Sequence, residues 1–445
     1  MIRKLSFTVC ALLATLMGFS QHVEFSEYNL DNGLHVILHQ NNSAPVITVG
    51  VMYHVGGKDE EVGRSGFAHF FEHLLFEGTE NIGRGKWFDI VGAHGGSNNA
   101  NTSQDRTYYY ETFPSNNLEL ALWMESERML HPIINQIGVD TQNEVVKEEK
   151  RLRIDNSPYG KFNAAVSENI FKKHPYRIPT IGTMKDLDAA TLDEFKAFFK
   201  KYYGPNNAAL VVSGDFQKEE AKQLIEAYFG DIPRGPEVVH PNIKEEPITQ
   251  MIVDTVYDSN IHIPLVLLAY RTPGMQEHDA YVLDMISTIL TDGKSSRMYK
   301  KMVDEDKEAL QVLAFNQAQE DYGVYIMGAL PMGDIPLDSL VASMDEEVAK
   351  LKNELISERE YQKLQNIFLN RYVNSNSTAQ GIAASLVSYY TMYDGNTNLI
   401  NKEIDIYQSI TREEIKEVAN KYLNKNQRLK LYYLPGEKKE STNNQ

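Results

Sequence analysis

Thr191-Leu192-Asp193-Glu194-Phe195-Lys196 opens a stretch that returns later in the chain as Thr411-Arg412-Glu413-Glu414-Ile415-Lys416, an offset of 220 (411 − 191 = 220). Residues 191–212 align without gaps on residues 411–432. Thr191/Thr411, Glu194/Glu414, Lys196/Lys416, Lys201/Lys421, Tyr202/Tyr422 and Asn206/Asn426 are identical. Each copy reads as a helix followed by a strand. A repeat at this spacing argues for two copies of one α+β unit. At 445 residues the chain is also too long for a single typical core.

Working outward, the two halves echo each other. The first reads as a hairpin over residues 28–40 turning at Asn32-Gly33, a buried strand over 46–55, a helix through His69 and His73, and a short helix over 86–94. Strands over 97–102 and 106–113 follow, then helices over 117–130, 140–154, 159–173 and 191–203, a strand over 208–212 and a helix over 218–229. Residues 230–247 contain four prolines and little periodicity, and read as a linker. The second half reads as strands over 251–257 and 263–270, helices over 279–290 and 295–304, and strands over 310–316 and 323–330. Helices over 337–353, 358–373 and 379–393 come next, then a final helix and strand.

Net charge is −17, with 42% hydrophobic and 24% charged residues and no Lys/Arg run, a composition that argues against a nucleic-acid partner. Residues 1–20 read as a signal peptide: Arg3 and Lys4 begin it, the run from Leu5 to Phe19 is too short to span a bilayer, and Gly18 and Ser20 suit cleavage before Gln21. The protein is therefore expected to be exported, periplasmic or secreted, with no integral membrane segment after signal removal. Cys10, the only cysteine, lies inside that segment and is not placed as a lipobox cysteine. Any metal ligands must then be His, Asp or Glu.

His69-Phe70-Phe71-Glu72-His73 sits in a proline-free, Phe/Leu/Ala-rich run that stops at Gly78. On a helix, residues four apart share a face, so both imidazoles can reach one tetrahedral zinc ion. Glu72 projects beside them and can take a proton from an activated water. The order is that of the inverted zincin motif H-x-x-E-H. Two histidines leave the ligand set one short, and Glu144, Glu148 or Glu149 on the helix over 140–154 could complete it. Asn98, Asn99, Ala100, Asn101 and Thr102 read as a polar edge strand able to accept a peptide as an added strand. Gly293-Lys294-Ser295-Ser296 has the end of a phosphate loop, but Thr288 stands where its earlier glycine is required.

These pieces resemble the zinc peptidases of the insulinase/pitrilysin type, which include the mitochondrial processing peptidase. The matching stretches are Gly66 to His73, Gly95-Gly96-Ser97-Asn98-Asn99-Ala100, Val145 to Arg151, Asp155-Asn156-Ser157-Pro158-Tyr159-Gly160, His174-Pro175-Tyr176 and Tyr202 to Ala208. The resemblance covers nearly all of the mature chain and is closest to bacterial two-repeat members. It implies an α+β fold of two homologous repeats, each a mixed, mainly antiparallel β-sheet packed against helices, forming a clam-like half. Residues 21–232 would be the catalytic repeat, 233–250 the linker, 251–438 a repeat without the metal motif and 439–445 a polar tail. The family's third ligand lies 76 residues past the second histidine, and 149 − 73 = 76 selects Glu149. Gln142 stands where the family often has a second acid, which leaves Gln142 and Glu148 as candidates for supporting the ligands.

The function so implied is a zinc endopeptidase with one Zn2+ per chain, Glu72 as general base, and short or unfolded polypeptides as substrates. The rival readings are a non-catalytic scaffold of the same fold and a peptide-binding, chaperone-like subunit. The family also supplies an Arg and a Tyr from the second repeat, and residues 302–312 contain neither. A homo- or heterodimer is expected, with a heterodimer favoured in which a related subunit carries that Arg and Tyr.

Overall fold

The computed structural model describes residues 22–436. The expected signal peptide, with Cys10, and the expected polar tail lie outside them. The first half holds β1 (Ser26–Asn29), β2 (His35–Gln40), β3 (Val46–Tyr53), β4 (Ser97–Thr102), β5 (Thr107–Pro114) and β6 (Ala208–Gly214). They form one sheet in the order β1-β2-β6-β3-β5-β4. The second half holds β7 (Ile252–Asp258), β8 (Leu265–Pro273), β9 (Ala309–Ala318), β10 (Tyr322–Pro331) and β11 (Leu429–Pro435), in the order β7-β11-β8-β10-β9. Pairing is antiparallel except for β2 with β6 and β7 with β11. Without β1, the first sheet has the topology of the second, strand for strand.

The repeated stretch folds alike in both places. Thr191 and Thr411 each accept a bond from the backbone N–H three residues on, and Glu194 and Glu414 each bond back to the threonine N–H. Leu192–Tyr202 leads into β6, and Arg412–Tyr422 leads into β11.

Both faces of both sheets are covered, so the central strands are apolar on each face. In β3, Ile47, Val49, Val51 and Tyr53 enter one core and Met52 the other. In β8, Val266, Leu268 and Tyr270 face one core, while Leu265, Leu267 and Ala269 face the other. The second covering layers are exchanged between halves. Ala379–Met392, from the second half, lays Ile382, Ala383, Leu386 and Val387 against Ile37, Met52, Ala209 and Val211 of the first sheet. Phe162–Ile170, from the first half, lays Val166 and Ile170 against Leu267, Val324, Ile326 and Leu431 of the second. The exchanged helices are themselves repeat equivalents (162 + 220 = 382).

Several element boundaries differ from expectation. The helix over 140–154 is Gln136–Lys150, capped by Asn135, and continues as a wide π-helical turn, Arg151–Asp155. The helix over 159–173 shrinks to Phe162–Ile170, because Tyr159 sits at φ 59°, a left-handed conformation that a helix cannot contain. Tyr299–Glu305 is a π-helical turn rather than a regular helix. Two short helices, Met184–Ala189 and Glu403–Ser409, were not foreseen. Residues 233–250 form no helix or strand, yet they are tied down. Asn206 bonds Gly235 and Pro236, His240 bonds Asp59, and Glu245 accepts from the N–H groups of Lys172, Lys173 and His174.

Candidate metal and active site

The helix Phe67–Leu74 is fixed at both ends. Gly66 precedes it at φ 95°, packed so that a Cβ would lie 2.8 Å from the Ile181 carbonyl oxygen. The Glu60 carboxylate accepts from the N–H groups of Gly66 (2.7 Å) and Ala68 (2.9 Å). Burial pushes the Glu60 carboxyl up to about 8 against the pull of those N–H groups. At the other end, fully buried Arg128 donates to the Leu75 carbonyl at 3.2 Å. Its guanidinium pairs with Glu111 and Glu125 and lies 4.0 Å from the Trp87 ring and 4.4 Å from those of Phe76 and Tyr109. Tyr109 Oη donates to the Phe71 carbonyl at 2.8 Å.

So held, the helix presents His69 and His73 to Glu149. The Glu149 Oε2 atom lies 3.0 Å from His73 Nε2 and 3.6 Å from His69 Nε2. One ligand atom from each of the three side chains lies within 4.8 Å of the others. Glu149 Oε2 and His69 Nδ1 are buried without a hydrogen-bond partner. Only the Glu149–His73 contact is of hydrogen-bond length, so His69 Nε2 is left facing the same carboxylate oxygen unmatched, a crowding of ligand atoms that suits a shared cation. Burial, with the His73 charge next in weight, pushes the His69 imidazole down to about 4, which keeps it neutral and able to ligate. Two imidazoles and one carboxylate are a set that Zn2+ accepts, with a fourth position left open. The other oxygen, Glu149 Oε1, pairs at 2.8 Å with Arg153 from the π-helical turn.

The remaining expected residues separate. Glu72 is on the metal helix, and its Oε2 accepts from Thr102 Oγ1 at 2.6 Å. Burial raises the Glu72 pKa, and the Thr102 bond works the other way. Asn98 to Thr102 form β4, the edge of the first sheet, paired only with β5. The Ala100 N–H donates to Asn99 Oδ1 at 2.9 Å, and Asn98 Nδ2 is buried without a partner. Arg106 donates to the Asn101 carbonyl at 3.0 Å and to its side chain. Glu72, Asn98 to Thr102 and the three candidate ligands line one cleft of about 610 Å³. Gln142 lines it too, but its amide bonds Glu77, not a metal-cluster residue. Glu148 does not join the cluster: successive helical side chains diverge by roughly a quarter turn, and Glu148 is exposed and paired with Arg151. Sequence reasoning missed Arg153, Arg106, Arg128 and Glu60. Their placement depends on turns and buried charges that leave no local pattern.

A buried ionic cluster joins the halves beside the site. Lys58 pairs with Asp105 of the first half and with Glu320 and Asp321 from the β9–β10 turn of the second. His54 lies 3.0 Å from Glu320, and His174 lies 3.3 Å from Asp321. Tyr176 Oη donates to Asp105, and the Glu320 N–H reaches the same carboxylate at 3.3 Å. Asp105 follows Thr102 in the β4–β5 turn, so the second half holds the turn from which the edge strand hangs.

Fold and site together define a two-repeat α+β protein with a three-residue cluster able to hold a metal ion beside an open sheet edge. A family model described as insulinase (peptidase family M16) matches residues 35–184, and one described as the peptidase M16 inactive domain matches 189–368. The zinc protease PqqE of Helicobacter pylori is 29% identical over 444 residues, 98% of this chain and 99% of that protein. A crystal structure of a protease from Helicobacter pylori has a TM-score of 0.88 at 28% identity, covering 93% of this chain and 100% of that one. The periplasmic protease PqqL of Escherichia coli shares the fold, with a TM-score of 0.78 at 19% identity over 94% of this chain and 48% of that one. The chain belongs to the insulinase family of peptidases.

Proposed function

We propose that the protein is an exported zinc endopeptidase acting on short or unfolded polypeptides. One observation carries this reading: His69, His73 and Glu149 converge while Glu72, on the same helix, faces the edge strand. His69, His73 and Glu149 would hold one Zn2+. When bound, the ion supplies Lewis acidity and lowers the pKa of a water. The chain's own residues do the rest. The Glu72 carboxylate takes the proton of the attacking water and returns it to the leaving amine. Thr102 orients Glu72 through its hydroxyl. β4 offers its free edge to the substrate backbone, and Asn99 releases the Ala100 N–H as the substrate strand docks.

Absence of Arg and Tyr from residues 302–312, the turn into β9, supports a heterodimer whose partner is a related subunit carrying them. Export, to the periplasm or as a secreted protein, is supported by the N-terminal sequence, and no helix among the described residues is long and apolar enough to cross a membrane. Metal analysis and hydrolysis of an internally quenched peptide test the reading together. Glu72→Gln is expected to keep zinc and lose hydrolysis, while His73→Ala and Glu149→Gln lose zinc. Full zinc occupancy in Glu149→Gln would remove that residue from the ligand set.

A further inference from the structure

The metal cleft does not end at Thr102. A second cavity of about 830 Å³ lies between the two halves, bounded by the β4–β5 turn, the Arg151–Asp155 turn, the exchanged helix Phe162–Ile170 and the ends of β9 and β10. Thr102 and Arg153 line both cavities. Any chain that runs off the end of β4 toward the second half therefore passes Arg153.

The charges along this route are unlike those of the protein. The whole chain has 61 acidic and 44 basic residues. Yet the charged residues lining the second cavity are Asp105, Arg106 and Arg153. Asp105 is 3% exposed and already paired with Lys58 and Tyr176, so it offers nothing to a ligand. Arg106 is half-buried and commits one nitrogen to the Asn101 carbonyl and side chain. Arg153 is different. Its side chain is 76% exposed, and among the described residues its one ion-pair partner is Glu149, through a single nitrogen. Its side chain lines both cavities, and its other nitrogens make no ion pair or hydrogen bond among the described residues. A guanidinium with free donors accepts a carboxylate in two-point geometry. The π-helical turn that displays it belongs to this repeat only: the equivalent helix of the second half runs regularly from Glu358 to Ser375.

We propose that Arg153 is a specificity-determining residue that recognises a carboxylate on the peptide, so that this site selects acidic segments. The inference rests on the peptide-cleaving reading of the site. The carboxylate could be a Glu or Asp side chain a few residues from the scissile bond, or a free chain terminus.

The experiment uses the full chain carrying Glu72→Gln, so that peptides bind without being cut. A neutral fluorescent peptide is prepared with Glu, Gln or Lys at each position in turn, each with a free and an amidated C-terminus, and binding is followed by anisotropy. At one position the Glu peptide is expected to bind roughly three- to ten-fold tighter than the Gln peptide, a preference that shrinks as salt is raised. If a terminal carboxylate is the ligand, amidation removes the preference instead. Adding Arg153→Gln should erase the preference, Arg153→Lys should retain part of it, and Arg153→Glu should turn it toward the Lys peptide. Ratios within one variant cancel any change in metal content, which is measured alongside. Equal binding of all peptides, or a preference that survives Arg153→Gln, overturns the proposal. The two readings fail separately: a wild-type protein that cuts no peptide while the preference persists defeats the peptidase reading alone, and cleavage without preference defeats this one alone.

Discussion

Thr102 Oγ1 lies 2.6 Å from Glu72 Oε2, and this hydrogen bond joins the edge strand to the metal helix. It couples the place where a peptide would dock to the group that would move the proton. Thr102→Val keeps the shape and removes the donor. We expect kcat to fall by about ten- to a hundred-fold, at most the lower end of what a positioned base contributes because Glu72 itself remains, with zinc content unchanged. Thr102→Ser restores the hydroxyl and should recover most of the loss. An equal loss in both variants would show that the bond is not what matters.

The Ala100 N–H, now held by Asn99, is the donor a docking strand would take over. Ala100→Pro deletes it. Peptide affinity should drop by roughly ten-fold, the value of about one well-made hydrogen bond, while zinc stays bound. Unchanged hydrolysis kinetics in a folded variant would refute strand addition.

Lys58→Met leaves Asp105, Glu320 and Asp321 without their common cation. Removing one partner of a buried ionic group costs about 3–5 kcal/mol, so a large fall in Tm is expected by calorimetry. Its pH dependence has a definite sign. Burial works to raise the pKa values of Glu320 and Asp321, but His54 and Lys58 around the first, and His174 and Lys58 around the second, hold them below the ordinary carboxylate range. Carboxylates so depressed contribute stability above their unfolded pKa of about 4 and lose it as pH falls further. The acid fall in Tm should therefore be shallower in Glu320→Gln than in the wild type. Parallel curves would remove Glu320 from the acid response.

The partner reading is tested by purifying the chain alone and assaying unstructured peptides. Weak cleavage is expected, rising about a hundred-fold or more when a related subunit with the Arg and Tyr is added, the scale of a missing oxyanion donor. Sedimentation should show a one-to-one complex. Robust cleavage by the lone chain, not increased by the partner, refutes the heterodimer.

The repeat was legible because it is local: a capped helix feeding a strand carries its own signal at Thr191 and again at Thr411. His69 and His73 were legible for the same reason, being one turn apart. Helical spacing alone left Glu144, Glu148 and Glu149 open, and the fold separates them by direction, with Glu144 exposed and paired with Lys147. Arg153 was not legible, because a π-helical turn sets its position. Neither was the Lys58 cluster, whose partners in the second half, Glu320 and Asp321, lie more than 260 residues away in sequence. An apolar helix over 379–393 could be read from its pattern, but no pattern says which sheet it covers.

The exchanged helices set an order of manufacture. As the chain leaves the ribosome, the first sheet is completed by β6, yet one of its apolar faces stays bare until Ala379–Met392 has been made. Meanwhile Phe162–Ile170 waits for a sheet whose last strand is β11. Each half is thus unfinished without the other, and neither exchanged face closes until nearly the whole chain is present to fold.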